Sequence, residues 1–305
     1  MASHPRRQAA GLLPSLAALV VAATLAACSG SPVATATPSA GPSGPPVPTP
    51  SPSTSPSLSA DPSANAAVVR IDDTGGMLPP WITLDWYPSL VLYADGRMIS
   101  EGPVDAIYPG AALPNLQVTQ LSRNGVAQVL RWAAEAGLAG PNRELGQPML
   151  DAGTTNVTVV RDGVPHVTRI WDINGDEAAI GAVRQFRDVL LDIRGWLPAE
   201  VAPQDVPYAW DRLRIVAEPR QPDEMPDEPN LREWPLPDQP LATIGVSIDG
   251  EGNGYRCALI EGDDLDVLRP DLLTANELTL WRSTEQSFGL VLHPLLPDDE
   301  GCPGL

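Results

Sequence analysis

Apolar and polar positions alternate through "LVLYADGRMI" (90–99), and the alternation breaks at Asp95-Gly96. An Asp-Gly pair supplies the backbone angles of a tight hairpin turn, so the stretch predicts two antiparallel strands. The period then lengthens. In "LSRNGVAQVLRWAAEAGLAG" (121–140), Val126, Val129, Leu130, Ala133 and Ala134 recur at helical spacing. Ser122 is placed to cap that helix and Gly137 to stop it. The same order returns in "TTNVTVVRDGVPHVTRIW" (154–171), a hairpin turning at Asp162-Gly163. "DEAAIGAVRQFRDVLLDIRGW" (176–196) then predicts a helix buried through Ile180, Val183, Phe186, Leu190 and Ile193. The second Asp-Gly follows the first by 67 residues, which predicts two ββα units sharing one antiparallel sheet with both helices on one face.

Residues 197–241 interrupt this rhythm with proline and acid, including "PDEMPDEP" (222–229). "RLRIVAE" (212–218) reads as a strand entering a second unit. "TIGVSID" and "YRCALIE" flank a glycine-rich loop and predict a third hairpin. A helix is expected from about Asp263, with that residue as cap and Asp266 in the first turn. "LTLWRS" and "SFGLVLHPLLP" predict a fourth hairpin. The fold class is α+β: antiparallel hairpins packed with helices, as two ββα-like units over 66–200 and a smaller α+β unit over 201–305.

The N-terminal pattern is of another kind. Arg6 and Arg7 precede an apolar stretch broken by Gly11, Pro14 and Ser15, and Leu25-Ala26-Ala27-Cys28 follows. That is signal-peptide architecture over residues 1–27, too short and interrupted for a membrane span. It resembles a bacterial lipobox, with cleavage between Ala27 and Cys28 and lipid on Cys28. Residues 28–65 are almost all Pro, Ser, Thr, Ala and Gly, with Asp61 the only charge. Such a composition cannot bury enough apolar area to fold and predicts a stalk of polyproline character. It would reach roughly 115 Å when fully extended.

Composition narrows the partners. Loss of Arg6 and Arg7 takes the formal charge from −19 to −21, and every Lys/Arg position is arginine. Such acidity repels nucleic acid and offers no basic patch to anionic lipid. The absence of lysine removes Schiff-base and P-loop chemistry. With Cys28 lipidated, Cys257 and Cys302 remain as an even pair in an oxidising compartment, either joined or as two free thiols. A bond would close a 45-residue loop and contribute about 4 kcal/mol by chain entropy.

"LYADGRMI" with "YPGAALP" after it, "LDAGTTNVTVV" and "LTLWRSTEQSFGLVLHPLLPDDEGC" carry a resemblance over most of residues 66–305. The chain resembles uncharacterised secreted lipoproteins of high-GC, actinobacterial-type bacteria. The resemblance implies the lipid anchor and the disulfide, and it carries over no catalytic residue.

Candidate chemistries are few. Asp73-Thr74-Gly75 and Asp151-Ala152-Gly153-Thr154 are Asp-x-Gly turns of the kind that hold the paired carboxylates of an aspartic peptidase. Their 78-residue spacing is short for two lobes, and Ala152 stands where a hydroxyl belongs. His166 and His293, the two histidines outside the leader, are too few for a zinc site or triad and read as structural. Asp249, Glu251 and Asn253 alternate as in the first half of a calcium loop, but Ile260 replaces the bidentate glutamate. "DINGDE" (172–177) departs similarly, so both read as polar turns and no metal site or cofactor is assigned. Trp81, Trp86 and Tyr87 cluster in "PPWITLDWYPSL" (79–90), either as a buried strand face or as a binding surface. The leading expectation is a lipid-anchored binding protein on the extracytoplasmic face of the cell membrane, with an envelope protein or wall polymer as partner. A hydrolase using Asp73 and Asp151 is the alternative, and a calcium-responsive module the third reading.

Overall fold

The structure is a computed structural model that describes residues 64–75, 86–148, 153–225, 227–248, 252 and 254–302. Residues 1–63, which hold the expected signal peptide with Ala27 and Cys28 and most of the expected stalk, lie outside the described residues.

Two sheets organise the described chain. The first has eight strands in the order β5-β7-β6-β1-β2-β3-β4-β8. β1 (Ala67–Thr74) lies in its interior, antiparallel to both β2 (Leu90–Tyr93) and β6 (Thr154–Arg161). β2 turns into β3 (Arg97–Glu101) at Asp95-Gly96, as the alternation predicts. β6 turns into β7 (Val164–Ile170) through Asp162 and Gly163 at φ 52° and 76°. Paired positive φ values match the strand twist, and Asp and Gly tolerate them. β4 (Leu116–Gln120) stands between the first hairpin and its helix, so the unit is βββα rather than ββα. The short edge strands are β5 (Arg143–Leu145) and β8 (Val206–Pro207), and β5 runs parallel to β7. The wholly antiparallel sheet of the sequence reading is therefore corrected to a mixed one, because a three-residue edge strand leaves no periodicity to read.

Helix α1 (Arg123–Glu135) begins where Ser122 Oγ accepts from the Gly125 N–H at 3.3 Å, and Gly137 follows it at φ 74°. Its buried side holds Gly125, Val129 and Ala133, whereas Ala134 is exposed. Helix α2 (Ala178–Leu191) buries Ile180, Val183, Phe186, Val189 and Leu190. The predicted single helix breaks at Asp192, and the short α3 (Ile193–Trp196) carries Ile193 back to the core. α1 and α2 cover the same sheet face, packing on Val69, Ile71, Leu90, Leu92, Met98, Val157, Val159 and Ile170.

The second sheet has six strands in the order β10-β13-β14-β9-β12-β11. β9 (Arg212–Pro219) is the predicted entry strand and takes an interior place. β10 (Asn230–Glu233) runs parallel to β13 (Thr279–Ser283), while β11 (Val246–Ser247) and β12 (Arg256–Glu261) form the third hairpin. β14 (Gln286–Pro294) pairs with β13 and β9. Helix α4 (Gly262–Leu272) packs on this sheet through Leu265, Leu268 and Leu272. It starts one residue ahead of the predicted cap: Glu261 precedes it without a side-chain cap, and Asp263 and Asp264 fill the first turn. Cys257 and Cys302 are joined, with Cα atoms 5.7 Å apart, which ties the C-terminal segment to β12. The chain leaves the first sheet at Pro207 and enters the second at Arg212. In the reverse direction, Ala111 bridges to Asn276, and the Gly110 N–H donates to Glu277.

Candidate functional site

Alternation along β1 sends Val69, Ile71 and Asp73 to one face. The first two are fully buried, and Asp73 stands where that core ends, its side chain 39% exposed. Its carboxylate accepts from Thr155 Oγ1 at 2.5 Å, from Ser89 Oγ, and from the Arg187 guanidinium at 3.3 Å. Thr155 is its cross-strand partner on β6, Ser89 leads into β2, and Arg187 descends from α2. Three elements thus converge on one carboxylate.

The neighbouring position brings the two Asp-x-Gly segments together. Thr74 and Thr154 are cross-strand partners, with hydroxyl oxygens 2.8 Å apart. Beyond them the backbones nearly touch: a Cβ on Gly75 would lie 2.3 Å from the Gly153 Cα, so only glycine fits. Asp151 lies outside the described residues.

Trp86 and Tyr87 occupy irregular backbone just before β2 rather than a strand. The Tyr87 ring stacks on His293 with centroids 3.9 Å apart and planes 6° from parallel, and its hydroxyl donates to the Pro294 carbonyl at 2.9 Å. Trp86, Tyr87, Ser89, Asp73, Glu101 and Leu292 line an open cleft of about 430 Å³. A second hollow of about 410 Å³ opens beside Asp73, against Thr74, Thr154, Trp171 and Asp172. Asp73, Trp86 and Tyr87, singled out on separate grounds, therefore share one concave surface. Trp81 lies outside the described residues. Ser89 and Glu101 complete that cleft, Thr155 lines the second hollow, and Arg187 reaches Asp73 from α2; no local pattern marks them, since each takes its place through tertiary pairing.

His293 is 2% exposed and faces Asp299 through Nε2 at 3.4 Å, while its Nδ1 has no described hydrogen-bond partner. It belongs to a polar cluster that seats the C-terminal segment against the first sheet. Arg70 contacts Asp72 at 2.9 Å, Asp298 at 3.1 Å and Asp299 at 3.6 Å, and Tyr93 donates to Asp298 at 2.5 Å. Burial pushes the Asp299 carboxyl up, but hydrogen bonds from His293 and the Leu296 N–H, with the Arg70 charge, outweigh it and hold it below its ordinary value. For Asp72 burial wins over Arg70, and the carboxyl is raised. Burial also raises the Tyr93 hydroxyl and pushes Tyr208 up to about 12. His166 sits half-buried on β7 opposite Val159.

Among the described residues no group of three or more His, Cys, Asp or Glu side chains is placed to hold a metal ion. At "DINGDE" the Asp172 carboxylate accepts from the Asn174 N–H at 2.9 Å, the hydrogen bond of an Asx turn. Asp249, Glu251 and Asn253 lie outside the described residues. Comparisons with protein-family models, curated proteins and solved structures returned no match.

Proposed function

We propose that the chain is a lipid-anchored binding protein on the extracytoplasmic face of a bacterial cell membrane, held by Cys28 and displayed on its proline-rich stalk. The observation that carries the binding part is the cleft where Trp86 and Tyr87 meet Asp73 and Glu101. Aromatic rings beside carboxylates give an apolar platform with hydrogen-bond acceptors at its edge, suited to a wall polymer or an envelope protein. The lipobox at residues 25–28 supports the anchor, and the Cys257–Cys302 bond suits an oxidising compartment.

The test is a crosslinked pull-down of the full lipoprotein from its own membranes, alongside the Trp86→Ala variant and the stalk alone. An envelope component enriched by the parent chain and reduced in Trp86→Ala supports the cleft, and equal recovery by the stalk alone overturns it. Cys28→Ser is expected to move the protein from the membrane fraction to the medium, and retention in the membrane would remove the anchor.

The adjacency of the Asp-x-Gly segments, with Thr74 and Thr154 hydroxyls in contact, favours a second reading as a hydrolase using Asp73 and Asp151. Against it stand the donors that already occupy the Asp73 carboxylate, namely Arg187, Thr155 and Ser89. Asp73→Asn abolishing hydrolysis of cell-wall substrate would establish that reading.

A further inference from the structure

The helix layer carries a concave surface that the sequence reading did not identify. α2 presents one apolar face, and the groove opens along its margin. That face, through Ile180, Val183 and Leu190, is spent on the core. Beside it, Ala182, Gln185, Phe186 and Val189 line a groove of about 260 Å³ facing α1, with the buried Phe186 and Val189 as its floor. From α1 the groove takes Trp132, Glu135 and Ala136, and α3 contributes Trp196. Trp196 is 56% exposed, an unusual state for the side chain with most to gain from burial.

The chemistry of this groove selects a charge sign. Trp132 and Trp196 present indole rings, the best aromatic partners for a cation. Glu135 adds an exposed carboxylate to the lining, whereas the C-terminal end of α1 is already met by the Arg143 guanidinium at the Ala136 carbonyl. Most neighbouring arginines turn elsewhere: Arg131 meets Gln128, Arg184 the Ile173 carbonyl, Arg187 Asp73 and Arg194 Asp205. Arg143 alone comes to the groove's edge, where it donates to the Ala136 carbonyl at 3.2 Å. The groove lining itself has no cationic side chain. With a whole-chain charge of −19, long-range attraction has the same sign as the local field.

We infer that the groove between α1 and α2 is a docking site for a basic segment of a protein partner. It takes a lysine or arginine side chain with the aliphatic stem against the indoles and the charge toward Glu135. The stem loses apolar contact with water while the cation gains both ring faces and a carboxylate. The surface is separate from the Trp86 cleft, so the two assignments stand or fall independently.

Indole fluorescence of the full-length lipoprotein, titrated with a polylysine peptide and in parallel with polyglutamate and polyproline, tests the inference. Saturable binding of polylysine is expected, weakened about three- to tenfold in Trp196→Ala and about threefold in Glu135→Gln. Polyglutamate and polyproline should leave the signal unchanged. Glu285→Gln, an equal change of charge in the β13–β14 turn, should bind as the parent does. Equal affinity for the parent and Trp196→Ala at unchanged melting temperature would reduce the effect to diffuse charge and overturn the site. Binding of polyproline in preference to polylysine would overturn it in favour of an uncharged occupant.

Discussion

The two faces of the first sheet are both buried, yet by different means. One face packs on α1 and α2 through an almost wholly aliphatic layer that runs from Val69 and Ile71 to Leu190 and Ile193. The other holds a smaller apolar patch, Val91, Tyr93, Ile99, Leu116 and Val118, capped by Leu296 from the C-terminal segment. Around that patch the contacts are polar: Arg70 and Tyr93 hold Asp298, Arg212 donates to the Leu296 carbonyl and Tyr208 to the Leu295 carbonyl. The helical face is non-directional and tolerates small shifts. The strapped face is directional, so its position is set by a few donors and acceptors and its end by a disulfide. A covering of fewer than ten residues has too little apolar area to stay down alone, and polar contacts plus a crosslink supply the difference.

That contrast can be broken one face at a time. The largest effect is expected on the helical face: Leu190→Ala removes a fully buried side chain, and it should cost about 2–5 kcal/mol in denaturant unfolding. Next comes the crosslink. Replacing both Cys257 and Cys302 with serine should cost about 2–4 kcal/mol. Hydrogen exchange should then rise first in residues 295–302, where an unchanged pattern would show the strap held by its polar contacts alone.

A smaller effect is expected from the ion cluster. Asp298→Asn leaves Arg70 and the Tyr93 hydroxyl with a weaker acceptor and should cost about 1–3 kcal/mol. Acid should act on the same cluster. The Asp299 carboxyl is held below its ordinary value of 3.8, so its contribution is present above that value and is lost as pH falls through the folded-state value. Asp72, raised by burial, works in the opposite sense and gains on protonation. Melting temperature followed downward from pH 5 should therefore fall less in Asp299→Asn than in the parent, and parallel curves would remove Asp299 from the account. The smallest effect belongs to the outer surface of the helix layer: Trp196→Ala should change stability by no more than about 0.5 kcal/mol. A large loss there would make Trp196 part of the core.

Legibility followed the same division. Hairpins at Asp95-Gly96 and Asp162-Gly163, the Ser122 cap and the buried face of α2 were readable because turn chemistry and side-chain period act within a few residues. β5, β8 and β10 were not, since strands of two to four residues take their place from a neighbour in space. The break at Asp192 was hidden by a periodicity that continues through Ile193. At the candidate site, Asp73, Trp86 and Tyr87 could each be named, but not their meeting, which depends on Ser89 and Thr155 flanking the same strand end.

What the sequence determined alone is therefore local: hairpin turns, two amphipathic helices and a proline-rich N-terminal composition. What only the tertiary structure decided is which local elements become neighbours. β1 took the interior of the first sheet, and Thr74 came to face Thr154 from 80 residues away. Asp298 came to rest on Arg70 across 228 residues. Pairings at such separations are chosen by the closure of two sheets around shared cores, and no window of sequence contains that information.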